Sequence, residues 1–76
     1  MTYAEMCNKI LDEIKRMNEA GEIASHKTLG HRIKSIARFT LYRYIQDMIG
    51  REEITAEYTK IGGKVFRALY IKGWQK

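Results

Sequence analysis

Ser25-His26-Lys27-Thr28-Leu29-Gly30-His31-Arg32-Ile33-Lys34-Ser35-Ile36-Ala37-Arg38-Phe39-Thr40-Leu41-Tyr42-Arg43-Tyr44-Ile45-Gln46 holds two short helical patterns separated by a turn. Ser25 is a good N-cap, and Leu29 and Ile33 repeat at helical spacing, which predicts a helix over about 26–33. Lys34 and Ser35 read as a turn, with Ile36 packing beneath it. The next helix is expected over 37–49. Its apolar face is Ala37, Leu41, Tyr44, Ile45 and Met48, and its opposite face is Phe39, Tyr42, Arg43 and Gln46. Gly50 closes it.

Upstream, residues 2–20 carry Tyr3, Met6, Cys7, Ile10, Leu11, Ile14 and Met17 at the three-and-four spacing of an amphipathic helix. Thr2 and Glu5 form a capping box, and Gly21 supplies the stop. Glu5–Lys9 and Asp12–Arg16 are expected ion pairs one turn apart. Leu11 widens the apolar stripe, which is core first and a dimer surface second. Glu22, Ile23 and Ala24 read as a short extended strand between the first two helices. Downstream of Gly50 the period drops from 3.6 to 2. Ile54, Ala56 and Tyr58 alternate with Thr55, Glu57 and Thr59, then Gly62-Gly63 punctuates a turn near 60–64. A run from Val65 to Ile71 follows, completing a hairpin. That run is apolar on both faces, and the pattern does not decide which of Leu69 and Tyr70 points inward. One domain over 1–73 and a tail over 74–76 account for the chain, with Trp74 the tail residue able to pack back.

Net charge is +5 over 76 residues, and its distribution is uneven. Residues 25–46 hold Lys27, Arg32, Lys34, Arg38 and Arg43 with no acid. Residues 60–76 hold Lys60, Lys64, Arg67, Lys72 and Lys76 with no acid. The segment between them, 47–59, is net acidic. Two acid-free basic blocks are the electrostatic footprint of a phosphate binder. The single cysteine, Cys7, has no intrachain partner. It fits a reducing, intracellular and cytoplasmic setting and reads as a small buried hydrophobe. Cys7, His26 and His31 match no zinc spacing, so no metal is expected, and both histidines read as surface or capping residues. No stretch approaches the ~20 apolar residues of a membrane span, and the first residues lack a secretory leader pattern. No nucleophile–base pair and no phosphate loop is present, and Glu52-Glu53 reads as a solvated turn. The expectation is a non-enzyme without cofactor or small-molecule effector site.

The order helix, short strand, helix, turn, helix, basic hairpin resembles the winged helix-turn-helix family over almost the whole chain. The run Thr28–Gln46 carries most of it. Leu29-Gly30 stands where the family has an apolar residue followed by a small one that lets two helices approach. Ile33 and Ile36 match its next core position and turn hydrophobe. Thr40-Leu41-Tyr42-Arg43-Tyr44-Ile45 is similar to a common recognition-helix run. Lys34 and Ser35 replace a single turn glycine, which leaves the start of the third helix open by a residue or two. The resemblance implies an α+β winged helix that binds double-stranded DNA as a transcriptional regulator, in the manner of small stand-alone regulators of phages, archaeal viruses and plasmids, with a homodimer on a two-fold site. It sets helix 37–49 in the major groove and the 60–64 wing on phosphate or minor groove. Arg38, Phe39, Thr40, Tyr42, Arg43 and Gln46 are then the groove-facing residues, with Lys60 and Lys64 on the wing and Lys27, Arg32 and Lys34 as further phosphate contacts. Whether Arg38 or Arg43 reads a base stays open, and Phe39 suits a thymine methyl, a partner protein, or the core if the helix phase shifts. Winged domains for left-handed DNA pair an Asn and a Tyr four apart and carry a wing proline. Here Thr40 precedes Tyr44 and the chain has no proline, so that sub-family is set aside. An architectural DNA binder and a protein-interaction module are the competing readings.

Overall fold

The computed structural model describes residues 2–75. It is a small α+β domain of three helices followed by a two-stranded antiparallel hairpin: α1 (Tyr3–Ala20), α2 (His26–Arg32), α3 (Arg38–Gly50), β1 (Ile54–Ile61) and β2 (Lys64–Ile71). The expected helix boundaries hold to within one residue. At the start of α1 the Glu5 N–H donates to Thr2 Oγ1 at 3.2 Å. At its end Gly21 takes φ 73°, and the Glu22 N–H returns to the Met17 carbonyl at 2.9 Å. A residue with a Cβ is strained in that left-handed conformation, which is why glycine ends the helix here. Ser25 and Thr28 cap α2 reciprocally: the Ser25 N–H donates to Thr28 Oγ1 at 2.8 Å and the Thr28 N–H to Ser25 Oγ at 3.3 Å. Gly62 and Gly63, both at positive φ (57° and 81°), form the two-residue turn that right-twisted strands prefer.

Periodicity puts one face of every element into a single core. Met6, Cys7, Ile10, Ile14 and Met17 of α1 meet Leu29, Ile33, Leu41, Ile45 and Met48, with Ile54 and Leu69 closing the sheet side. The register pairs Ile54 with Ile71 and Ala56 with Leu69 on the core face, so Leu69 points inward and Tyr70 outward. Ala37 departs from its expected place: it is the exposed N-cap of α3, not part of its buried face. Arg16 pairs with Glu13 at 3.0 Å instead of with Asp12. Gly30 leaves room. A Cβ there would meet Arg38 and Leu41 side-chain atoms at 4.0 Å, ordinary contact, so the approach of α2 to α3 does not require glycine.

Residues 22–24 form no strand. One backbone bond, from the Leu69 N–H to the Ala24 carbonyl at 2.8 Å, joins them to β2. The reason lies in α1. Asn18, nearly buried at 7% exposure, donates from Nδ2 to the Leu69 carbonyl at 3.1 Å. Its Oδ1 accepts from the Ile71 N–H, also at 3.1 Å. The side-chain amide thus satisfies β2 edge groups that a third strand would otherwise pair, and ties the end of α1 to the hairpin.

Removing that amide strands a buried carbonyl and an amide N–H, each worth about 1–3 kcal/mol when unsatisfied. Asn18→Ala is expected to destabilise the domain by about 2–4 kcal/mol in urea unfolding. Asn18→Asp is not expected to rescue it, because a carboxylate can accept from Ile71 but cannot donate to Leu69. A loss under about 0.5 kcal/mol would mean that water replaces the clamp.

Candidate nucleic-acid interface

Three cores of contact — Leu41, Ile45 and Met48 — fix the rotation of α3, and the helix period then sends Phe39, Arg43 and Gln46 to solvent. Phe39 is 73% exposed, which removes the core alternative for its ring. Thr40 and Arg43 border the α1 flank of the helix, where they line a shallow hollow with Tyr3, Tyr44 and Asp47. Arg38 and Tyr42 border the α2 flank. The Arg38 stem lies over Gly30, and Tyr42 meets the His26 ring edge-on at 5.6 Å between centroids.

His26 was legible only as a capping or surface residue, yet it joins the starts of two helices. Its Nε2 lies 2.8 Å from the Arg38 carbonyl, twelve residues away. Lys27, beside it, lines a hollow of about 410 Å³ with Glu22, Ile23, Ser25, Thr28, Ile61 and Phe66. The start of α3, the start of α2 and the outer part of the hairpin are therefore neighbours in one continuous surface. Lys27, Lys34, Arg38, Arg43, Lys60 and Lys64 are all exposed, and the ion pairs among the described residues use Arg16, Arg32 and Arg51 instead. Arg32, the other phosphate candidate of this segment, differs from these in being ion-paired: Glu22 lies at 3.0 Å from its guanidinium and Glu13 at 3.7 Å.

At the far end of α3 a second set of side chains fixes the helix. Arg51 Nη1 donates to Tyr3 Oη at 2.7 Å, and Tyr3 Oη donates to Asp47 Oδ2 at 3.3 Å. The Tyr3 ring packs on Tyr44 at 4.9 Å between centroids. Hydrogen bonds to Tyr3 and Glu53 hold the Arg51 proton more tightly than usual. Asp47, one turn beyond Arg43, is the carboxylate that borders the exposed face of α3; a carboxylate there accepts from a cytosine amino group and repels phosphate. Its spacing from Thr40 and Arg43 was the available signal.

The start of α3 itself is open. Ala37 is an extended N-cap at φ −68° and ψ 147°, it makes no side-chain cap bond, and the first turn holds no acid. The leading amides of this helix are therefore left to solvent or to an anion, in contrast to those of α2. Among the described residues no group of His, Cys, Asp or Glu could hold a metal ion, and no helix is long and apolar enough to cross a membrane. The chain matches no protein-family model, no characterised protein and no solved structure.

Ala37 already has the backbone of a capped start, so Ala37→Ser is expected to stabilise the free protein by about 0.5–2 kcal/mol. If the open amides receive a phosphate, the same change lowers affinity for DNA. Thermal melting and a binding titration on one preparation check both; a variant that melts higher and binds DNA as tightly as the parent removes the anion role from this helix end.

Proposed function

We propose that this chain is a winged helix-turn-helix domain that binds double-stranded DNA sequence-specifically and acts as a transcriptional regulator. The observation that carries the reading is the solvent face of α3: Phe39, Arg43 and Gln46, with no acid anywhere from residue 25 to residue 46. The exposed cations of α2, the turn and the hairpin end support it. A helix about 10–12 Å across with its side chains matches a major groove about 12 Å wide. Arg43 then offers a bidentate donor to guanine, Gln46 reads adenine, and Phe39 meets a thymine methyl. Thr40, Tyr42 and Arg38 are the flanking contacts, and Lys27, Lys34, Lys60 and Lys64 take phosphate.

Two copies on a two-fold site is the assembly we favour. The apolar stripe of α1 that suggested it is largely buried in the protein's own core, leaving Leu11 partly covered. The pairing surface thus lies elsewhere, or the DNA itself brings the copies together. A protein-interaction module is the second reading, and the exposure of Phe39 favours it over an architectural role.

If about five phosphates are neutralised, log K falls against log salt with a slope of about −4 to −5. A flat salt dependence removes DNA from the reading. Arg43→Ala is expected to cost about 1–3 kcal/mol at the preferred site, relax the preference at one base pair per half-site, and leave the melting temperature unchanged. Uniform weakening across all sequences would move base reading to Arg38. Unaltered affinity and selectivity would replace the groove reading with the protein-interaction one.

A further inference from the structure

The hairpin outgrows the core. On the face where Ile54, Ala56, Leu69 and Ile71 pack inward, the strand alternation continues outward to Tyr58 and Lys60 on β1, opposite Arg67 and Val65 on β2. Tyr58 is 80% exposed and Val65 is 64% exposed. Tyr58 faces Arg67 directly across the ladder, and Lys60 faces Val65 two residues, roughly 7 Å, further out. Glu57, the acid of the outer hairpin, belongs to the opposite face by the same alternation. The outer half of this face is therefore an aromatic ring and a small apolar side chain set among two cations, with no acid.

We propose that this face is a stacking platform for unpaired bases of a nucleic-acid strand, with Tyr58 as the ring that takes a base and Arg67 and Lys60 as partners of the flanking phosphates. The chemistry selects the occupant. A phosphate ridge alone would use the two cations and leave the Tyr58 ring in water. Inside a duplex the flat faces of the bases are covered by their neighbours, and only edges and backbone are offered. An unpaired strand presents base faces and phosphates together, which is the combination that exposed aromatics and cations on a sheet surface accept. Val65 covers the sugar or base next along the strand. The site rests on the proposed DNA-binding reading for its biological setting but not for its chemistry. The natural target is a duplex that carries unpaired nucleotides beside the segment held by α3.

Three probes are titrated by fluorescence anisotropy: a blunt duplex, the same duplex with a twelve-nucleotide thymidine overhang, and the thymidine strand alone. The parent is expected to bind the overhang duplex more tightly than the blunt one and to bind the free strand measurably. Tyr58→Ala is expected to lose about 5- to 150-fold on both probes with unpaired bases and nothing on the blunt duplex, and Tyr58→Phe to retain the parent's affinity. Because stacking displaces few counterions, Tyr58→Ala leaves the salt slope unchanged, whereas Lys60→Ala makes it shallower. At this exposure neither Tyr58 variant disturbs the core, and an unchanged melting curve verifies it. Equal parent affinity for blunt and overhang duplexes overturns the platform, as does an overhang gain that survives in Tyr58→Ala. Loss of blunt-duplex binding with thymidine binding intact overturns the duplex reading and leaves the platform standing.

Discussion

The side-chain amide of Asn18 sets where the hairpin sits against the helical half of this protein. Asn18 bonds both the carbonyl of Leu69 and the N–H of Ile71, across 51 and 53 residues of sequence. A two-stranded hairpin is at best marginal alone in water, so β1 and β2 depend on what covers them. Leu69, Ile54 and Ile71 supply the apolar cover, which is non-directional and would tolerate sliding. The amide supplies direction, because both of its bonds form in one register only. With Ala24 adding one backbone bond to Leu69, the edge of β2 at Leu69 and Ile71 is bonded without a third strand. The position of the outer hairpin relative to α2, and hence the continuity of the candidate surface, follows from that anchorage.

Much of the architecture could be read from the chain because it depends on local chemistry. Gly21 and Gly62-Gly63 mark places where positive φ is needed, and the structure has it there. The three-and-four spacing of α1 and α3 selects the faces that are buried, and Ser25 caps as its type suggests. What was illegible depends on partners distant in sequence. Residues 22–24 look like a strand by composition, but Asn18 occupies the edge they would need. Asn18 stands four residues after Ile14 and one after Met17, a polar residue at the border of an apolar stripe, and that was the signal for it. Leu69 and Tyr70 could not be told apart because Ala68, on the outer face, is buried as deeply as Leu69.

The candidate site divides in the same way. The outward direction of Arg43 and Gln46 follows from helix period, whereas that of Phe39 depended on the helix phase, which the burial of Leu41, Ile45 and Met48 fixes. Arg32 looked equivalent to Lys27 and Lys34, yet it is ion-paired with Glu13 of α1 and with Glu22 of the segment that follows α1, partners 19 and 10 residues away in sequence. His26 looked bland because its partner, the Arg38 carbonyl, is a backbone group that no residue pattern reveals. The roles of Tyr58 and Arg67 were hidden because nothing in the alternation Ile54, Ala56, Tyr58 says where the core stops and the bare ribbon begins.

The anchoring of α3 at both ends bears on the thermodynamics of recognition. His26 holds its first turn, and Tyr3 with Arg51 holds its last, while the residues between them that face outward touch little. A helix held at both ends in this way would meet the proposed ligand with its backbone already in place. Ordering is then confined to a few long side chains, at about 0.5–1.5 kcal/mol for each one immobilised, and the backbone contributes almost none. If α3 docks on DNA as proposed, association proceeds with little conformational rearrangement, its rate is set by charge steering and orientation, and differences among target sequences fall on residence time.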